Sequence, residues 1–383
     1  MANDIGFLLG AGASYELGMP LVDELTVEFK KAILRVWNMP YYRLPKEIDT
    51  ILSPLFNNNT LNYEDIIGRI EVEINRNRNQ ALHQEWHAVL SRYLEVIFVL
   101  LLERHSKNQI YINERLQFLE PIQNYCKNSP LWIFSLNHDL IIEMLTKYLD
   151  LPLKNGFKEL IDINGIKFEQ LSRENMEKSQ FDFIYNESGI NLIKLHGALD
   201  IYVHRDENNY LKIFNGSKDT NETINNINHL IKNDATVKNG VKCTNEITYY
   251  DKDNILQFLR MTIMSGKHKY SSKVSHNMDD WFFKIFKGHI NYVSELYCIG
   301  ISFQDKHVNT VIYDWLSFSK ERKMFIVNPY IENIPNEFNH ISDQIEIIKK
   351  GFLDFLNQDE KKNLLKIKFN QQMRNLSRKN LLK

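Results

Sequence analysis

Three short polar stretches hold the groups that could do chemistry. Ser135-Leu136-Asn137-His138-Asp139 sets an amide, an imidazole and a carboxylate side by side, and Lys194-Leu195-His196-Gly197-Ala198 adds a second imidazole. Near the N-terminus, Gly10-Ala11-Gly12-Ala13-Ser14 follows an apolar run and reads as a strand turning directly into a helix. Gly10 and Gly12 leave no Cβ to block a phosphate. The N–H groups and dipole of a helix start attract an anion, so a dinucleotide is the first ligand to consider. The sixth position of the dinucleotide fingerprint, normally Gly or Ala, is Tyr15 here. Each group also has a plain structural reading. The glycines suit a tight turn, Asn137 or Asp139 suits a cap on the helix Leu140–Leu149, and a lone histidine such as His196 has several structural roles.

These stretches must be positioned by the apolar runs that precede them. Six such runs stand out: Ile5–Leu9, Leu131–Leu136, Asn191–Leu195, Glu295–Ile301, Met324–Val327 and Gln344–Ile348. Short apolar runs bounded by polar turns suit strands of a parallel sheet covered on both faces. Helical patterns between them predict an α/β fold, a Rossmann-like, mostly parallel sheet with helices on both faces. In such sheets ligands lie beyond the carboxyl ends of the strands. The fourth run ends in Gly300-Ile301-Ser302-Phe303-Gln304-Asp305 and the fifth in Asn328-Pro329, so Gly300, Ser302 and Asn328 join the candidates. Asn328 suits a ribose or adenine contact, or a turn.

The main body is expected over 1–350, with a helical insertion at about 38–127, where Leu, Ile, Glu and Arg recur at three-to-four spacing. A second, irregular insertion is expected at about 203–287, with Lys267–Asn277 as a loop. The tail, 351–383, is basic: from Lys349 onward ten Lys/Arg face three Asp/Glu, 10 − 3 giving +7, interleaved with Leu364, Leu365, Ile367, Phe369, Met373 and Leu376. A solvated amphipathic helix, a partner-docking segment and a direct nucleic-acid contact are its three readings.

Composition narrows the class. A net charge of −1 gives no global field to recruit nucleic acid or membrane. Val96–Leu102, the longest apolar run, falls short of the roughly 20 residues of a membrane span, and the apolar run after Asn3 and Asp4 is too short for a signal peptide. Cys126, Cys243 and Cys298 lack metal-ligand spacing and suit a reducing cytoplasm. No carboxylate cluster with metal spacing supports a nuclease.

The order Gly-Ala-Gly-x-Ser, Asn-x-Asp, His-Gly, Gly-x-Ser, Asn, each at a strand end, resembles the sirtuin superfamily. More narrowly it resembles the bacterial sirtuin-like NADases of anti-phage defence. The resemblance covers the sheet-forming segments and not the insertions or tail. It implies that Gly10, Ala11, Gly12 and Ser14 correspond to the phosphate loop and that Asn137 and Asp139 correspond to the nicotinamide-ribose pocket. It matches His196 to the family's catalytic histidine and Gly300, Ser302 and Asn328 to adenosine-side contacts. The family's deacylases carry a four-cysteine zinc module between the histidine and Gly-x-Ser; here that interval holds Cys243, with Cys298 at its end. Their Phe-Arg after Gly-Ile-Pro is also missing, since Leu21-Val22 follow Gly18-Met19-Pro20.

The resemblance implies NAD as substrate, without zinc, and its hydrolysis to nicotinamide and ADP-ribose as a cytoplasmic anti-phage effector. Activity is expected to be gated by homo-oligomerisation and a partner such as a HerA-type ATPase or a short Argonaute. Asn137 is expected to position water or ribose, His196 to act as base, and Asp139 to hold the pocket or orient His196. An NAD- or ADP-ribose-binding sensor without turnover, and an NAD-dependent deacylase, are the alternatives.

Overall fold

Phe7 and Leu9 face one hydrophobic core and Leu8 faces another. That alternation, repeated by Leu131 and Ile133 against Trp132 and Phe134, is why the strand runs carry no polar face. The computed structural model describes residues 4–37, 44–204, 209–214, 216–267 and 280–382. The chain opens with β1 (Asp4–Leu9) and a one-turn helix, α1 (Ala11–Tyr15). A helical region follows: α2 (Val22–Trp37), α3 (Lys46–Asn57), α4 (Tyr63–Arg76), α5 (His83–Lys107), α6 (Gln109–Asn113) and a 3-10 stretch, Leu116–Tyr125. Leu25, Phe29 and Ile33 repeat every fourth residue on the buried face of α2. Phe29 meets the rings of Phe56, Tyr63 and Tyr93 at 6.0, 6.2 and 5.4 Å, joining α2 to α3, α4 and α5.

Next come β2 (Leu131–Ser135), α7 (Ile141–Leu149), β3 (Leu153–Lys154), β4 (Glu159–Ile163), β5 (Ile166–Leu171) and α8 (Arg173–Glu177). They are followed by β6 (Ile190–Lys194), β7 (Ile201–His204), β8 (Asn209–Ile213), α9 (Glu222–Lys232), α10 (Ala235–Lys238), β9 (Glu246–Tyr250) and β10 (Leu256–Met261). The last part holds α11 (Trp281–His289), β11 (Val293–Ile299), α12 (Lys306–Ser317), β12 (Lys323–Val327), β13 (Ile345–Ile348), α13 (Phe352–Leu356) and α14 (Lys361–Leu381).

Seven strands form one sheet in the order β13-β12-β11-β1-β2-β6-β3. Every pairing in it is parallel. Setting aside the two-residue β3, the order is that of a dinucleotide-binding doubly wound sheet, with the topological switch between β1 and β11. α11 and α12 bury Phe282, Phe286, Ile312 and Trp315 on one face, while α2 to α7 cover the other. The fold is α/β and Rossmann-like, as the sequence pattern predicts.

A second sheet, β4-β5-β8-β7-β10-β9, is antiparallel. It replaces the irregular insertion expected at 203–287 and begins earlier, at Glu159. Its first hairpin turns through Asn164 and Gly165, both at positive φ (52° and 83°), as a two-residue loop requires. Most of the expected Lys267–Asn277 loop lies outside the described residues. No described helix is long and apolar enough to cross a membrane.

The basic tail folds back on the molecule. On α14, Ile367 is buried, Arg374 forms a two-pronged pair with the fully buried Glu24 at 3.0 Å, and Arg378 pairs with Asp23. The opposite face leaves Leu365, Phe369, Met373 and Leu376 exposed.

Candidate functional site

A cavity of about 1050 Å³ opens over the carboxyl ends of the parallel strands, at the switch point. Five strand ends supply the candidates: Gly10, Ala11, Gly12 and Ser14 after β1; Asn137, His138 and Asp139 after β2; His196 after β6; Gly300, Ser302 and Asp305 after β11; and Asn328 and Tyr330 after β12. All ten residues singled out in the sequence therefore line one space. The rim is completed by Asn62 and Tyr63 from the helical region and by Gln371, Asn375 and Arg378 from α14.

The glycine loop is shaped by its neighbour strand. Gly10 N–H donates to Ile299 O (2.9 Å), Gly12 N–H to Gly300 O (3.0 Å) and Ala13 N–H to Gly10 O (3.0 Å). A Cβ on Gly12 would stand 2.7 Å from Gly300 Cα, and one on Gly300, whose φ is +63°, would stand 2.3 Å from Ala13 N. These glycines are required because two backbones touch across β1 and β11. The sequence suggests an N–H cradle for phosphate instead, but those three N–H groups already have protein acceptors. The loop thus supplies a floor to the cavity.

Asn137 is fixed from both sides. Its Nδ2 donates to Gly10 O (2.8 Å) and Ser14 Oγ (3.0 Å), and its backbone N–H donates to Ser135 Oγ (3.1 Å). With both amide hydrogens committed, the side-chain oxygen is the group it can offer a ligand. Asp139 shapes the turn into α7: its Oδ1 accepts from Ile141 N (3.1 Å), while the N-cap position itself falls on Leu140, which makes no side-chain cap bond. Beside it, Leu140 N donates to His105 Nε2 (3.1 Å). Burial holds the His105 pKa below its ordinary value, which keeps that nitrogen an acceptor. Lys194 Nζ donates to the Asp139 carbonyl, so a buried polar cluster underpins this wall.

His196 is 5% exposed and its carbonyl accepts from Met264 N (2.9 Å). Gly197 is there for packing rather than for ligand access: at φ +76°, a Cβ there would stand 2.0 Å from Thr262 O. The carboxylate beside His196 is Asp305 rather than Asp139, with Oδ2 3.2 Å from Nε2. The one sequence signal for Asp305 is its place just before a helical run, where an N-cap belongs. His138 sits across the cavity, its ring centroid 6.4 Å from that of His196 and its Nδ1 3.2 Å from Gly197 O.

Asn328 uses its amide for the turn: Nδ2 donates to Ile301 O (3.2 Å) and Oδ1 accepts from Tyr330 N (2.9 Å). Of its two sequence readings, the geometry displays the turn. Ser302 is exposed on the rim. Tyr330, 72% exposed beside it, offers a flat aromatic face that the sequence analysis did not single out. Among the described residues, no group of three His, Cys, Asp or Glu side chains is arranged to hold a metal ion.

No protein-family model matches the chain, and no curated protein matches it.

Proposed function

We propose that the cavity binds NAD and hydrolyses its nicotinamide–ribose bond. The observation that carries this reading is the meeting of Asn137 and His196 over the glycine loop in one cavity at the sheet's switch point. Ligand pockets of small-molecule sites measure roughly 300–1,000 Å³, so the space suits a dinucleotide.

Nicotinamide leaves as a neutral base from a cationic ring. The C1′–N bond breaks with its electron pair going to the ring nitrogen, and no acid is needed. A water oxygen then bonds C1′ and releases a proton. The protein must hold the ribose, tolerate positive charge at C1′ and place the water. Asn137 Oδ1 is the acceptor for that water or a ribose hydroxyl, and His196 receives the proton. The glycine loop lies under the diphosphate, and Ser302 and Tyr330 stand on the adenosine side.

The physiological reading is an anti-phage effector that assembles into homo-oligomers and is switched on by a partner, a HerA-type ATPase or a short Argonaute. Its support is α14, one face of which borders the cavity while the other carries exposed Leu365, Phe369, Met373 and Leu376.

The test is chromatographic measurement of nicotinamide and ADP-ribose from NAD, with Asn137→Ala and His196→Ala controls, without and with the partner. Loss of about 10²–10⁴-fold in both variants is expected. Melting temperatures accompany the assay because Asn137→Ala removes two hydrogen bonds. Wild-type cleavage by both variants would sink the assignment. Calorimetric NAD binding without turnover under any condition would identify a sensor, and NAD-dependent release of acetyl from a peptide would identify a deacylase.

A further inference from the structure

His196 and Asp305 meet on two rigid arms. The histidine arm is held by the Met264–His196 backbone bond and by the jammed contact of Gly197 with Thr262. On the other arm, Asp305 is the N-cap of α12, where its Oδ1 accepts from His307 N (3.1 Å) and Val308 N (3.3 Å). Capping occupies one oxygen and leaves the second, Oδ2, 3.2 Å from His196 Nε2. The loop before it is also forced. Phe303, a non-glycine residue, sits at φ +57°, pinned where Asn309 Nδ2 donates to its carbonyl at 2.7 Å and where its ring meets Phe338 at 5.9 Å. A helix cap alone needs no such backbone. Left-handed conformations of bulky residues persist only where the surroundings over-determine them, and they gather at functional sites.

We propose that Asp305 is the positioning residue for His196, its second carboxylate oxygen holding the imidazole in place and raising its affinity for a proton. This deepens the NAD-hydrolysis reading and rests on it for the chemical step, while the pairing itself does not. An opposite charge within about 4–6 Å favours the protonated imidazole. It also stabilises the imidazolium formed as the base takes its proton, the role a buried aspartate plays beside a catalytic histidine. Of the other ionisable groups, His138 has its ring centroid 6.4 Å from that of His196, and Asp139, Glu64, Lys267, Lys306 and His307 line the same cavity.

The alternative is that Asp305 only caps α12, and two substitutions separate the roles. Asparagine and serine cap about as well as aspartate, so Asp305→Asn and Asp305→Ser keep the helix start and remove the charge. The first readout is independent of activity: NMR titration of the His196 imidazole in the full chain, its resonance assigned by its absence in His196→Gln. The second is kcat and KM for nicotinamide release, with the partner present if the wild type requires it. With melting temperatures unchanged, the His196 pKa should fall by a unit or more in both variants. kcat should fall at least about a hundredfold with KM within about threefold.

An unshifted His196 titration in both variants overturns the pairing, whatever the activity. A shifted titration with wild-type kcat overturns the positioning role and leaves NAD hydrolysis standing. A wild type that never cleaves NAD removes the hydrolysis reading, and the titration alone then decides whether Asp305 governs His196.

Discussion

Replacing Glu16 with glutamine should stabilise the protein at high pH and hardly at all in acid. Glu16 lies at the end of α1 beneath α13 and α14. Its Oε2 accepts from Leu353 N (2.9 Å) and its Oε1 from Gln371. Burial, with a smaller push from Asp354, raises its pKa from 4.5 to about 7. A carboxyl with a raised folded pKa binds its proton more tightly in the folded state. Its contribution is therefore fully present below about pH 4.5 and is lost as pH rises through about 7. One pKa unit corresponds to about 1.4 kcal/mol, so the full difference is about 3 kcal/mol, of which about 2.5 kcal/mol develops between pH 5 and 8. Glutamine has no proton to lose. Any pH-independent repacking it causes cancels when the stability gap between variant and wild type is compared across pH. At about 2.1 cal/mol/K per residue, a chain of 383 residues has an unfolding entropy near 0.8 kcal/mol/K. The melting-temperature gap should thus widen by about 3 °C from pH 5 to pH 8, measurable by calorimetry. A gap that stays constant, or narrows as pH rises, refutes the argument that burial raises the Glu16 pKa.

Arg374→Ala should cost about 3–5 kcal/mol, because it strands the fully buried Glu24 carboxylate. Urea midpoints give the size of the loss, and faster amide exchange confined to 361–381 would show that it falls on the docking of α14. Gly300→Ala should prevent folding or lower stability by more than about 3 kcal/mol, since its Cβ would strike Ala13 N at a positive φ. Gly288→Ala, in α11 with nothing near its Cβ, should stabilise by about 0.5–1 kcal/mol. Equal effects in thermal melts would remove the packing explanation for Gly300.

The parallel sheet was legible because its strands are buried on both faces. Leu131–Ser135 and Ile190–Lys194 are buried at every position, and such runs advertise themselves. The pair Leu153–Lys154 is too short to form a run. The antiparallel sheet was harder to read because some of its strands are half exposed, as in Glu159–Ile163, where four of five positions keep some contact with solvent. It still left a signal in Asn164-Gly165 between Asp162-Ile163 and the alternating Ile166-Lys167-Phe168. The candidate site was legible as a set of strand ends, but its pairings were not. Asp139 lies two residues from Asn137 and suggests a partner for His196, yet the carboxylate that reaches His196 comes from the end of β11. Likewise a run of lysines and leucines at the C-terminus does not announce that Arg374 will find Glu24, 350 residues earlier.

The contact of Gly12 with Gly300 also bears on how the protein is made. β1 pairs with β11 across almost 290 residues, and the cavity then takes Asp305, Asn328 and Arg378 from later still. Long-range closure of this kind comes late in folding. On a ribosome adding about 5–20 residues per second, the N-terminal glycine loop is made early but waits until most of the chain has emerged for the strand that gives it shape. A chain cut short before β11 holds Asn137 and His196 over a glycine loop that lacks its shaping strand, and without the far wall of the cavity. Synthesis through α14 is therefore itself a checkpoint: no product of translation that stops before Arg378 carries the whole site.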